Sequence, residues 1–492
     1  MDRKNFIVLG SLLFGFQLYS PDQVSCRETS LAGSIGLQQE YNSNIFRLDH
    51  DEVSQWTTTA LPVLTLVSTG EKDEFTLVGN SDLSWDQRRD QRDFSHGLSF
   101  SGSREISQYL QVTVSDSFSY NDDSPRTDLD PTLSITERFR RSGLYEQAEV
   151  ARLLFPEIDY TPDDYLSVLT ELGPRYALAS PIVQREVDRL LSNTEGRRRY
   201  WDNEFSVAAE YEFARESILT LGYRYFSNDD RSSDISEYYE HSPHVSLSYR
   251  FTPQWLTSVS YEFTKGQYDS ESDLSENNTL FTVGYTVSPA DQLTLSYGYD
   301  NSNFQDGDLN IVGLAEGSED IADQTGELAW NHDFSAETRL TTALLGNYLS
   351  REFNADESGF GLNAGLAKRL QRGSVTFGAS TLFDRQKKDG SWDDLRETWG
   401  VDGGLTYELF ENTTGTLDAS YEKRYLWLLA GSKENFDDYS AGASISYSFM
   451  RWFAVTCRYT FSKLLSSNDL VPGYDEHLVM VELSASKELI RW

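Results

Sequence analysis

Nowhere does this 492-residue chain hold an uncharged apolar run of the roughly 20 residues that a membrane-crossing helix needs. That excludes a bundle of transmembrane helices. Its two cysteines, Cys26 and Cys457, cannot build a disulfide framework. Positive charge is scarce as well: 42 Lys and Arg stand against 78 Asp and Glu, a formal net charge of −36. A nucleic-acid binder needs a basic footprint, so that partner is excluded. Histidine is thinly spread over His50, His96, His241, His244, His332 and His477. Only His241-Ser242-Pro243-His244 brings two together, without the Cys or ordered carboxylate that a metal site wants beside them. There is no Gly-rich phosphate loop and no zinc-protease His-Glu pattern. A Ser-His or Asp-His pair would have to meet at one spot on the fold. No enzyme is expected, and no catalytic, cofactor-binding or metal residue is assigned.

Present instead are aromatics, with Tyr 28, Phe 27 and Trp 10, set in a chain of mean hydropathy −0.51. The apolar residues alternate one by one with small polar ones. From Tyr439 to Phe449, one face reads Tyr439, Ala441, Ala443, Ile445, Tyr447 and Phe449, and the other Ser440, Gly442, Ser444, Ser446 and Ser448. A period of two is a β-strand with unlike faces. Aromatics outside and small polar residues inside describe the wall of a transmembrane barrel, in which only every second strand residue meets lipid.

About 20 strands are expected, with 18 as the other even count. They begin near Leu31, Trp56, Glu74, Phe94, Tyr109, Trp201, Ile218, His244, Trp255, Thr279, Leu293, Asp323, Arg339, Gly359, Val375, Trp399, Thr413, Asp438, Phe453 and Leu478. Their connections alternate in length. Ala214-Arg215-Glu216, Thr252-Pro253-Gln254 and Met450-Arg451 are short; Asn228–Ser242, Asn301–Ala322, Arg385–Asp394 and Leu426–Phe436 are long and polar. Bacterial outer-membrane barrels sort short turns to the periplasm and long loops outward. An even count returns both termini to the periplasm. The fold expected is all-β, a transmembrane antiparallel β-barrel with a helical extracellular insertion.

A charge facing lipid at mid-depth is costly, so the strand charges are expected inside. The pore-lining candidates are Asp82, Glu210, Glu212, Glu262, Asp300, Glu327, Asp402, Glu408, Asp418, Glu422 and Glu482, with the basic Arg224, Arg250, Arg369 and Arg458. Carboxylate-lined pores favour cations. Acidic loop runs such as Asp49, Asp51 and Glu52, or Asp229, Asp230, Asp234 and Glu237, do not match calcium-loop spacing and read as solvated loop charge.

The strands divide into residues 27–121 for the first five and 200–492 for the remainder. Between them, 122–199 reads as helical: Thr161-Pro162 opens a helix with Tyr165, Val168, Leu169 and Leu172 on one face, closed by Gly173-Pro174. A second opens at Ser180-Pro181 with Val183, Val187, Leu190 and Leu191, and a third spans Leu144 to Phe155. This segment is either a packed cap or a plug that enters the lumen. Residues 1–26 read as a signal peptide, with Arg3 and Lys4 before the uncharged stretch Phe6 to Tyr19. Gln23-Val24-Ser25-Cys26 is a poor lipoprotein box, so ordinary cleavage is expected.

Glu40-Tyr41-Asn42-Ser43-Asn44-Ile45-Phe46, followed by Trp56 to Pro62 and an alternating Val63 to Val67, resembles the opening of the β-barrel porin-2 family. That resemblance implies an outer-membrane barrel often linked to exopolysaccharide loci, and it carries no catalytic residues. The expected role is an outer-membrane channel for passive diffusion, or for export of polysaccharide or small solutes. A closed structural or adhesive barrel presenting acidic loops is the alternative, and a barrel enzyme the third. Expected partners are outer-membrane lipid and lipopolysaccharide, a polysaccharide export system, and the barrel-assembly machinery, reached through a C-terminal strand ending in Trp492.

Overall fold

The computed structural model describes residues 27–44, 54–87, 91–123, 135–140, 150–155, 165–179, several helical positions between 183 and 191, 198–230, 238–268, 273–305, 320–351, 356–388, 391–427, 433–466 and 473–492. The signal segment 1–26, His50 and the Thr161-Pro162 helix start lie outside them.

Twenty strands account for most of the described chain. They are β1 (Glu28–Asn42), β2 (Gln55–Thr69), β3 (Asp73–Asp86), β4 (Gln91–Ser107), β5 (Leu110–Asp123), β6 (Arg198–Ala214), β7 (Ser217–Asp230), β8 (Tyr238–Thr252), β9 (Trp255–Tyr268) and β10 (Asp273–Ser288). The second half comprises β11 (Asp291–Gln305), β12 (Ile321–Ser335), β13 (Thr338–Arg351), β14 (Glu357–Leu370), β15 (Gly373–Lys388), β16 (Ser391–Phe410), β17 (Thr413–Trp427), β18 (Lys433–Phe449), β19 (Phe453–Ser466) and β20 (Tyr474–Arg491). Each pairs antiparallel with the next, and β1 pairs with β20, so the sheet closes on itself. Closure leaves no free edge for another chain to extend.

All twenty expected strands are present, and at one end they reach further than the sequence pattern does. Starts at the short-turn end agree to within three residues, as at Phe453 and Thr413. At the other end the ladders run on into sequence read as loop. β8 starts at Tyr238 where His244 was expected, β16 at Ser391 where Trp399 was, and Asp229, Asp230 and Glu276 belong to strands. Residues 385–388 and 391–394 of the expected Arg385–Asp394 loop belong to β15 and β16. Backbone pairing needs no apolar face. Where the outward residues turn polar the period disappears from the sequence, although the hydrogen bonds continue.

Directly opposed residues of an antiparallel pair share a face, so the register sorts the whole wall. Leu328, Leu344 and Leu362 lie side by side on one face, and Thr416, Ser444 and Arg458 on the other. The Ser/Thr/charge face is the concave one. On it Arg224 of β7 reaches Glu262 of β9 at 3.8 Å, across the intervening β8. On the outside, Tyr421 packs against Tyr439 with centroids 4.9 Å apart. Tyr447, eight residues below Tyr439, begins a second aromatic belt with Phe449 and Phe453. At ~3.3 Å per residue and a ~40° tilt, the two belts stand about 20 Å apart along the axis.

In the insertion after β5 helices occupy described residues, one of them not expected. Helix α1 (Ile135–Arg140) precedes a helical turn at 150–154 and α2 (Tyr165–Leu178). Val183, Val187 and Leu191 are also helical. α2 passes through Gly173-Pro174 instead of stopping there. Proline costs the helix one backbone bond. The last turn is held by Arg175, which pairs with Glu171 at 3.1 Å, donates to the Leu154 carbonyl at 3.2 Å and stacks on Phe155. Phe139, Val150, Phe155, Val168, Leu172 and Val187 form the centre of a buried core whose described members all come from the insertion.

The short turns carry three non-glycine residues at positive φ: Glu216, Asn412 and Met450, the last at φ 58°. Asn tolerates this region, whereas Met pays for its Cβ. Met450→Gly should therefore raise stability slightly, by about 1 kcal/mol at most. A urea titration in detergent, read by tryptophan fluorescence, checks the sign.

Candidate functional site

The candidate site is the inner wall. Twenty strands about 4.8 Å apart and tilted about 40° close into a cylinder roughly 40 Å across at the backbone. Inward side chains of this chain are mostly Ser, Thr, Gly and Asn, too short to fill such a bore. Side chains alone do not fill this interior.

The register places all fifteen charged candidates on this face. Asp82 shares it with Ser95, Glu210 with Thr220, Glu212 with Ile218, and Arg224 with Ser206 and Ser242. Arg250 lies opposite Leu256, Glu262 opposite His244 and Asn278, and Asp300 opposite Asn278 and Asp323. Glu327 faces Ser296, Arg369 faces Ser374, Asp402 faces Gly378 and Glu408 faces Thr414. Asp418 faces Gly442, Glu422 faces Asp438, Arg458 faces Ser444 and Glu482 faces Gln38.

They do not form one cluster; they ring the bore. Two ion-pair groups stand out. Arg224 meets Glu262 and donates to Ser242 Oγ at 3.5 Å. Arg424, absent from the expected set, bridges Glu422 at 3.2 Å and Asp438. Arg250 pairs downward with Glu216 at the turn. Among the described residues no ion pair is made by Glu210, Glu327, Asp402, Glu408, Asp418 or Glu482. Unneutralised carboxylates on a concave wall focus a negative potential into the bore.

Glycine shapes how these carboxylates sit. Asp402 and Asp418 are on adjacent strands, one register step apart. Asp402 lies over Gly378 on β15 and Asp418 over Gly442 on β18, each filling the space a Cβ would take. The two like charges thus lean away from each other and flat along the wall. His244 lies in the same way over Gly222.

Further inward carboxylates escaped the sequence reading: Glu276, Asp323 and Asp438. They lie beyond the apolar belt, where no alternation betrays the face. Aromatics were expected only outside, yet Phe226 and Tyr238 pack together on the inner face at the long-loop end, with centroids 5.5 Å apart. Phe436 and Leu464 are buried there too, against Tyr474.

The histidine pair is resolved by parity. His241 faces outward among Tyr223, Tyr225 and Tyr239, with Tyr223 Oη 2.6 Å from its Nδ1, whereas His244 faces inward. Two residues on opposite faces cannot share a metal. Among the described residues no group of three or more His, Cys, Asp or Glu is placed to hold one.

No family model matches the sequence, and no curated protein is similar to it in sequence. The likeness is to solved structures. A ferric enterobactin receptor from Pseudomonas aeruginosa, PfeA, solved with enterobactin, superimposes with a TM-score of 0.52 at 10% identity, over 93% of this chain and 81% of that one. The siderophore receptor PirA from Acinetobacter baumannii gives 0.50 at 10% identity, over 93% and 80%. At such identities the shared property is the fold, a closed antiparallel barrel.

Proposed function

We propose that the chain is an outer-membrane channel of a Gram-negative bacterium that passes water-soluble solutes and prefers cations. The carrying observation is the inner wall: eleven candidate carboxylates against four arginines face a bore that its own side chains cannot fill. The outward leucines and aromatic belts suit lipid and lipopolysaccharide. The short-turn end, where both termini meet, is assigned to the periplasm and the long connections to the exterior. An acidic wall disfavours an acidic polysaccharide, so a polymer in transit would be neutral or cationic. The insertion is a cap, because its apolar faces are spent on its own core.

Planar bilayers test this. Purified protein under a KCl gradient should conduct, with a reversal potential favouring K⁺. Changing Asp82, Glu210, Glu327, Asp402, Asp418 and Glu482 together to amides should lower the K⁺ over Cl⁻ preference at least twofold. Silent bilayers from both the full chain and a form lacking 124–197 would sink the reading.

A further inference from the structure

The hollow around His241 lies on the outer face and has no part in conduction. Phe205, Tyr223, Tyr225, Tyr239 and His241 line a cavity of about 390 Å³ there. The register sets its floor. Phe205, Tyr225 and His241 are direct partners on β6, β7 and β8, and Lys265 of β9 comes next in the same row. Directly opposed Cβ atoms stand about 5 Å apart, so the Lys265 stem lies beside the His241 ring.

This row marks the upper edge of the apolar belt. Below it the outer face carries Val245 and Leu247 on β8, and Val259, Tyr261 and Phe263 on β9. At it and beyond come Lys265, Ser275 and Gln267. An apolar band that turns polar at the long-loop end is where a barrel meets the headgroups of the outer leaflet.

Lys265 is distinguished by its charge. Lys423 and Lys463 stand on the same face at the same end, and each is neutralised: Lys423 by Asp437 at 3.7 Å and Lys463 by Asp475 at 3.0 Å. Among the described residues Lys265 has no such partner. The outward carboxylates Asp116, Asp229 and Asp273 make no ion pair with it. Asp116 and Asp229 are buried and hold Asn203 Nδ2 at 3.2 Å and Trp201 Nε1 at 2.9 Å. In a chain of net charge −36, an unneutralised lysine over an aromatic hollow suits an anion that carries an apolar body.

His477 supplies the comparison within the molecule. Its ring meets Phe461, directly opposite, at 5.1 Å and Tyr459 at 6.1 Å, with Tyr459 Oη 2.8 Å from Nδ1. His241 meets Tyr225 at 5.1 Å and Tyr223 at 6.1 Å, with Tyr223 Oη 2.6 Å from Nδ1. Both imidazoles are thus held through Nδ1, with Nε2 left to a ligand. The difference is the lysine: Lys463 is spent on Asp475, and Lys265 is not.

We propose that this hollow seats one phosphate of lipid A, the phosphorylated glycolipid of the outer leaflet. Lys265 meets the phosphate as a compact charge, and His241 adds a donor at Nε2. The aromatic rings take the sugar and the first methylenes of an acyl chain. The proposal rests on the barrel spanning an outer membrane, and not on its conducting.

Native mass spectrometry of the purified barrel in detergent, given lipid A, provides the test. The parent should hold one lipid A. Lys265→Gln should lower the bound fraction at least fivefold, and Tyr239→Ala, which opens one wall with the lysine intact, at least twofold. Lys463→Gln should leave binding unchanged. Lipid A stripped of its phosphates should bind the parent as poorly as lipid A binds Lys265→Gln. Heat modifiability confirms that each variant is folded. Equal retention by parent and Lys265→Gln would overturn the site, and so would an equal loss in Lys463→Gln. Phosphatidylglycerol binding as well as lipid A would also overturn it, because any anionic lipid would then serve. Conductance of the same preparations separates the two readings. A conducting barrel that ignores lipid A faults the site alone; a silent barrel that binds it through Lys265 faults the channel alone.

Discussion

An arginine at Leu344 should destabilise the barrel by about 2–4 kcal/mol in a bilayer, whereas an arginine at its chain neighbour Ala343 should cost under about 1 kcal/mol. Leu344 is 59% exposed on the outer face, between Leu328 and Leu362. Ala343 faces the bore between Ala329 and Asn363, where a long side chain has room and water. A guanidinium at Leu344 would have to shed its hydration in hydrocarbon. If the outer face met water instead, exchanging one half-exposed residue for another would shift stability by about 0.5 kcal/mol or less. Urea unfolding in lipid vesicles, followed by tryptophan fluorescence, measures both variants. Equal costs at the two positions would remove the membrane reading. The comparison is internal, because both residues share one strand and one height.

The alternation that makes this prediction possible was legible in the sequence because it is a local, two-residue property repeated at every strand. Tyr439 to Phe449 states its two faces outright, and the register keeps them. The turns at Ala214-Arg215-Glu216 and Met450-Arg451 were equally plain, since chain reversal leaves a local mark. Three things were not legible. Strand ends at the long-loop side extend into polar sequence, so Tyr238, Glu276 and Ser391 looked like loop. The lean of a carboxylate depends on a glycine one strand away, as Asp418 depends on Gly442, and no sequence spacing reports that. His241 and His244 looked like a pair until parity divided them. The site is therefore readable as a face and unreadable as a geometry.

The C-terminus shows how a local irregularity can mislead and then inform. In the sequence Glu488 interrupts the apolar residues at the end of the last strand. The β1–β20 register shifts between Leu31 and Ala32, pairing Leu31 with Ile490 and Ala32 with Glu488. The extra residue, Leu489, packs where Gly33 leaves space, with its Cδ1 3.1 Å from the position a Cβ would take. Glu488 keeps the inner parity of Glu482, Ser484 and Ser486, and the bulge turns Ile490 outward. A bulge re-aims side chains at the cost of one unpaired residue.

Deleting Leu489–Trp492 should be the most damaging small change to the chain. Thr29 N donates to the Trp492 carbonyl and Trp492 N to that of Thr29, each at 2.9 Å, so the final residue closes the ring with a reciprocal bond. Arg491 adds an ion pair to Glu28 beside it. Without these residues the start of β1 is an open edge within the wall, and each unpaired peptide group there costs several kcal/mol in hydrocarbon. Folded, heat-modifiable barrel should fall at least tenfold, both in vesicles refolded from urea and in cells. Trp492→Ala keeps the backbone pair and should refold in vesicles nearly as well as the parent. If that variant also fails in cells, the ring is being read during assembly, as expected of a barrel-assembly signal. If the truncated chain refolds normally in vesicles, closure does not depend on the reciprocal bond, and the stability of the seam must be sought higher along β1 and β20.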